Sequence, residues 1–193
     1  MVTLVAGATL VTSACQGSEN RAMSTSDVHD TSVSTTSSSP SPAGATRITP
    51  SALPSVVVPS AANVHSEAGA IAFARFFTAE VDRSFVTLDA RFLKARSLPT
   101  CEGCAVVIGT IAENHQDDKK QQAPSFRIKG ATIEGSRGRT VVLWLPTDVI
   151  RVPFHNSQGE ANGEVKPQSV TWQVGLDWTD GGWMVSEFAP VAP

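Results

Sequence analysis

The chain has 193 residues, 41% of them hydrophobic and 17% charged, no Tyr, and a formal net charge of −3. That length holds one domain, or one domain with a tail. The negative balance and the lack of any Lys/Arg cluster argue against nucleic acid as a partner, and no apolar run reaches the roughly 18 residues of a membrane-spanning helix.

Residues 1–14, MVTLVAGATLVTSA, are apolar or small and uncharged. They read as a signal peptide, too short to span a bilayer and ending in small residues. Cys15 follows directly on Val11-Thr12-Ser13-Ala14. This resembles the lipobox of bacterial lipoproteins, in which a small residue precedes a Cys that is lipidated and becomes the mature N-terminus. The resemblance implies a lipid anchor on Cys15, palmitate included, and a place at the extracytoplasmic face of the cell membrane. A short buried strand with a chance Cys is the competing reading, but nothing after it resembles a domain that it could join. Residues 15–65 are expected to form a stalk. Ser24–Ser41 is mostly Ser and Thr, and Pro40, Pro42, Pro50, Pro54 and Pro59 follow. Such a segment has too little apolar surface to offset its ordering entropy, so disorder is expected, and Ser/Thr tracts with Pro also occur as glycosylated stalks.

Residues 66–193 carry the periodic patterns of a folded domain. Ser66 is the expected N-cap of a helix from Glu67, and Ile71, Ala74, Phe77, Val81 and Phe85 recur on one helical face, widened by Phe73 and Phe76. Thr87 is expected to cap a second short helix with Leu88, Phe92 and Ala95 on one side, broken by Pro99. A third helix over about Glu102–Glu113 should bury Val107, Ile108 and Ile111. The period then changes to two. Phe126, Ile128, Gly130 and Thr132 predict one strand, with a turn at Ser136-Arg137-Gly138. Val141–Leu145 is apolar throughout, as for a strand covered on both faces, and Pro146 is expected to end it. A strand near Val149–Phe154 and a polar loop, His155–Glu164, come next. In Ser169–Trp178 the residues Trp172, Val174, Leu176 and Trp178 share a face. A turn at Asp180-Gly181-Gly182 returns the chain antiparallel through Trp183-Met184-Val185. Helices followed by a run of strands predict an α+β domain, three helices packed on an antiparallel sheet.

This order, closed by the hairpin "GLDWTDGGWMVSEF", resembles the NTF2-like cone (the nuclear transport factor 2 fold). With "GAIAFARFF" in the first helix, "CEGC" opening the third and the terminal "DGGWMV", the chain resembles a family of actinobacterial lipoproteins within that group. The resemblance covers most of residues 67–190. It implies a curved sheet and a membrane-anchored location, and it carries no chemistry of its own.

Cys101-Glu102-Gly103-Cys104 admits three readings. A thioredoxin-like redox pair follows a strand in a βαβ context, which is lacking here, and no basic residue adjoins to stabilise a thiolate. A zinc site needs four ligands, and only His115 and His155 stand as further candidates, without metal-ligand spacing. Outside the cytoplasm two nearby cysteines most often form a disulfide, so Cys101 and Cys104 are expected to be a staple and no metal is expected. Asp148, His115, His155, Asp177 and Glu187 are the acid–base candidates, each expected to be a solvated surface group. The isomerases of the resembled fold use a Tyr hydroxyl, which this chain lacks. No nucleotide-binding, nucleophile-elbow or zinc-protease motif is present, and no cofactor is expected. The function expected is non-catalytic binding of a small apolar ligand or an envelope protein, the alternative being an enzyme, of hydrolase or isomerase type, that uses the cone's cavity. Trp144, Trp172, Trp178 and Trp183 are read first as core. Trp178 and Trp183 flank the final turn and are the expected exposed contact residues.

Overall fold

The structure, a computed structural model, describes residues 56–191. The expected signal peptide, Cys15 and the stalk as far as Ser55 lie outside the described residues. Helix α1 spans Glu67–Thr87, capped by Ser66, whose Oγ accepts a hydrogen bond from the Gly69 N–H at 3.1 Å. That satisfies one of the donors left free in a first helical turn. The helix ends where Leu88 turns left-handed (φ 56°) and its N–H bonds to Ser84 O. Thr87 is therefore the last residue of α1 and not the cap of the next helix, because its hydroxyl bonds back to Arg83 O. Helix α2, Arg91–Arg96, has no side-chain cap on Ala90. Helix α3, Glu102–Gln116, buries Ile111 and Cys104, with Val107 and Ile108 half-buried.

Eight strands follow: β1 Lys120–Gln121, β2 Phe126–Ile128, β3 Thr132–Arg137, β4 Thr140–Val149, β5 Val152–His155, β6 Ala161–Val165, β7 Gln168–Thr179 and β8 Gly182–Pro190. The main antiparallel sheet runs β2-β4-β7-β8, with β3 also on β4. Bulges at Ile133/Gly135 and Gly175/Leu176 shift its register and bend the strands. Strands β1, β5 and β6 form a second, smaller sheet. Three helices and a curved antiparallel sheet make the domain α+β.

Several strand expectations are corrected. The single strand expected from Phe126 to Thr132 is two, β2 and β3, laid end to end along β4. Pro146 does not end β4. Its carbonyl accepts from Lys129 N at 2.8 Å, and its missing N–H falls in the interval between β2 and β3, where no ladder bond is needed. Strand β4 is covered on one face: Val141, Leu143 and Leu145 are buried while Trp144 is 36% exposed. The turn into β4 is centred on Gly138 (φ 62°) and Arg139, since β3 extends through Arg137. Val149 belongs to β4 and Val152–His155 to the second sheet, so the strand expected over Val149–Phe154 is broken at Ile150-Arg151. The polar stretch after His155 is half strand, because Ala161–Val165 pairs with β5.

The core lies between the helices and the inner face of the main sheet. Phe73, Phe77 and Val81 of α1 and Ile111 of α3 meet Leu143, Leu145, Val174, Leu176 and Val185. Each large side chain fully buried here is worth about 1.5–3 kcal/mol of transfer free energy. The packed body also begins before Ser66. A 3-10 turn at Ser60–Asn63 buries Ala62 completely, and Val64 O accepts the indole N–H of Trp183 at 3.0 Å. His65 stacks on Trp178 with ring centroids 4.8 Å apart.

Candidate functional site

The break after β4 swings β5 and β6 away from the main sheet and opens a cavity of about 250 Å³ between the two sheets and the helices. Helices α1 and α3 contribute Val81, Phe85 and Val107 to its walls. Phe126, Trp172 and Phe188 line it from the main sheet, and Phe154 and Val165 from the small one. Trp172 is held by stacking on Phe188, centroids 4.8 Å apart, with Phe126 tilted against it at 5.9 Å. Aromatic pairs at such separations add roughly 0.5–1.5 kcal/mol beyond area burial. The indole Nε1 of Trp172 is enclosed without a partner among the described residues.

The polar side of the cavity is built on Asp82, which sequence reasoning did not single out. It is 2% exposed, one turn along α1 from the buried Thr78 and beside Val81. Its Oδ1 accepts from Gln121 Nε2 (3.1 Å), Ser125 N (2.9 Å) and Ser125 Oγ (3.0 Å), and its Oδ2 from Phe126 N (2.7 Å). Four donors compensate a desolvated carboxylate that would otherwise be costly to bury. The effect is to fasten the Gln121–Phe126 loop, which joins the two sheets, onto α1. Gln121 and Ser125 in turn line the cavity, and Gln168 adds an exposed amide to the lining. The signal available in the sequence was an acidic residue inside an otherwise apolar helical stripe.

The expected site residues are scattered. Trp183 is 1% exposed and among the largest fully buried side chains, which overturns its reading as an exposed contact. Residues 64 and 65 cover it, a segment the composition had assigned to the stalk. Trp178 is half-buried between His65 and the edge of Trp183, whose centroid is 5.1 Å away. Trp144, on the outer face of β4, is the most exposed of the four indoles. Asp148 pairs with Lys129 Nζ at 2.7 Å and Ser169 Oγ at 3.0 Å, and these bonds, that to Lys129 first, hold its carboxyl below the ordinary value. Asp177 accepts from Thr140 Oγ1, and Glu187 from Gln173 Nε2 at 2.8 Å. His155 ends β5 and His115 stands in the last turn of α3. None of these five lines the cavity. No group of His, Cys, Asp and Glu among the described residues is arranged to hold a metal ion, and none of the helices described is long and apolar enough to cross a membrane.

Cys101 and Cys104 are joined in a disulfide and are 2% and 3% exposed. Cys101 is the N-cap of α3, its Sγ accepting from Cys104 N at 3.3 Å. Between them Gly103 lies so close to β8 that a Cβ there would sit 1.7 Å from Phe188 O. The bridge thus fixes the start of α3 where it meets β8, the strand that also carries a cavity wall. A second depression of about 290 Å³ lies between α2 and α3. Ile108 and Ile111 line it together with the charged Asp89, Arg91 and Lys94 and the polar His115.

No protein-family model matches the chain, and no curated protein matches it. Among solved structures, the intermembrane-space region of the chloroplast protein ARC6 is similar at a TM-score of 0.45 and 11% identity, over 63% of this chain and 95% of that one. A protein of the NTF2-like family from Streptomyces avermitilis is similar at a TM-score of 0.43 and 13% identity, over 62% of this chain and 95% of its own. Aln2 from a Streptomyces species gives 0.42 and 13%, over 61% and 85%. Likenesses at these scores carry no weight for what this chain does.

Proposed function

We propose that the domain is a non-catalytic binding module whose ligand is a small apolar molecule held between α1, α3 and the two sheets. The supporting observation is the cavity itself: about 250 Å³, walled by aliphatic and aromatic side chains, with a few amide and hydroxyl groups from Gln121, Ser125 and Gln168. Ligand sites are typically concave and mostly apolar with a few placed polar groups. The enzyme alternative finds no support in the lining, which contains no carboxylate or imidazole among the described residues. The four hydrogen bonds that Asp82 accepts engage it with the protein and not with a substrate.

The element order fits an NTF2-like cone, and on our reading the cone is carried at the extracytoplasmic face of a membrane by a lipidated Cys15. The sequence of residues 1–15 supports that reading, as does the polar tract that follows. The test is to purify the protein from its native membrane, measure its intact mass, and identify what an organic extract releases. The expected result is a mass starting at a lipid-modified Cys15 and an apolar molecule near one per chain. An unmodified N-terminal Met would remove the anchor, and an empty extract from freshly isolated protein would count against the ligand.

A further inference from the structure

Resting on that reading of the cavity, we propose that its ligand is a neutral apolar molecule bearing a hydroxyl, and that carboxylate-headed amphiphiles are excluded. Asp82 determines this by drawing the neighbouring donors to itself. Gln121 is 2% exposed, so its amide cannot turn to water. Both hydrogens of its Nε2 are spent, one on Asp82 Oδ1 at 3.1 Å and one on Ala123 O at 2.7 Å. That fixes the orientation of the amide, because a carboxylate and a carbonyl only accept. The end left for the cavity is Oε1, which takes no hydrogen bond from any described residue. Ser125, 1% exposed, likewise directs its hydroxyl hydrogen to Asp82 at 3.0 Å and keeps only oxygen lone pairs for the lining. The two buried polar side chains that Asp82 positions on the wall, Gln121 and Ser125, therefore present acceptors with a carboxylate directly behind them, while the indole N–H of Trp172 is the enclosed donor without a partner among the described residues.

No Lys, Arg or His among the described residues forms an ion pair with Asp82. Lys119 lies over the Phe154 ring, 4.7 Å from its centroid, and does not line the cavity. Beside Gln121 and Ser125 a guest carboxylate would bring acceptors to acceptors and a second negative charge toward that of Asp82, in a region of low dielectric, and it has no hydrogen to give Gln121 Oε1. A hydroxyl donates to Gln121 Oε1 and keeps its lone pairs for a donor such as the enclosed indole N–H of Trp172. An alkane fits the apolar walls and leaves the amide oxygen unpaired.

The experiment titrates the full chain with decane, 1-decanol and decanoate near pH 7, read by intrinsic tryptophan fluorescence, since Trp172 lines the cavity. Decanol should bind at least about tenfold more tightly than decanoate, and in Gln121→Met the decanol-to-decane affinity ratio should fall about tenfold. The decanoate comparison needs no variant, so it stands even if Gln121→Met is poorly folded. Decanoate binding as well as decanol, or a ratio unchanged in a folded Gln121→Met, overturns the hydroxyl preference and leaves the cavity reading intact. Saturable binding of none of the three overturns both.

Discussion

Asp82 shows how one residue can organise a site it does not line. Its carboxylate holds the Gln121–Phe126 loop through four hydrogen bonds, and that loop sets both the small sheet and the polar wall of the cavity. Asp82→Ala leaves those donors buried without partners, and the expected loss is roughly 3 kcal/mol of stability. The shift of the urea midpoint measures it; a variant as stable as the parent would show that the loop is held by something else. A second carboxylate reports on the far end of the small sheet. Asp118 Oδ2 accepts from Ser157 Oγ (2.6 Å) and Ser157 N (2.9 Å), and these bonds, the side-chain one first, hold its carboxyl below the ordinary value near 3.8. A depressed folded-state pKa means that the stabilisation is fully present above the unfolded value and lost as pH falls through the folded one. Ser157→Ala should raise the Asp118 pKa toward 3.8, read from carboxyl carbon shifts across an acid titration. Neither role was visible in the sequence, because a lone Asp in a helix or a turn looks the same whether its partners lie across the fold or in water.

Where elements begin and end was legible when the determinant was local. Ser66 caps α1 because its hydroxyl needs only the N–H three residues on. Cys101 and Cys104 were readable as a pair because they are close in sequence and the compartment was inferred independently. Strand ends were less legible, since they depend on the neighbour. Pro146 passes through β4 only because β2 and β3 leave an interval beside it, and no pattern within Val141–Leu145 could reveal that interval. The disulfide closes a very short loop, so the chain-entropy estimate of its worth is about 2 kcal/mol. Replacing both cysteines by Ser should lower the unfolding free energy by that order and leave the circular dichroism spectrum unchanged. Collapse of the fold would show that the start of α3 depends on the bridge much more heavily.

The domain as a whole was predicted as three helices on an antiparallel sheet, and that architecture stands. What composition missed is that the body recruits residues 56–65, which read as stalk because they continue the run of prolines, through Pro59, that follows the Ser/Thr tract. Their value lies in what they cover: Trp183 bonds to Val64 O, and His65 stacks on Trp178. His65→Ala should therefore cost about 1 kcal/mol and shift tryptophan emission to the red. Trp183→Ala, a core truncation, should cost about 3–5 kcal/mol.

Whether the cavity between the two sheets takes an apolar guest is read by an equilibrium titration with the neutral fluorophore N-phenyl-1-naphthylamine. The chain should bind the probe saturably at one site with a blue-shifted emission. Val107→Trp, which places an indole on the cavity wall contributed by α3, should abolish that binding while circular dichroism shows the fold retained. Equal binding by the folded Val107→Trp variant, or no saturable binding by the parent chain, would show that the cavity is not a binding site.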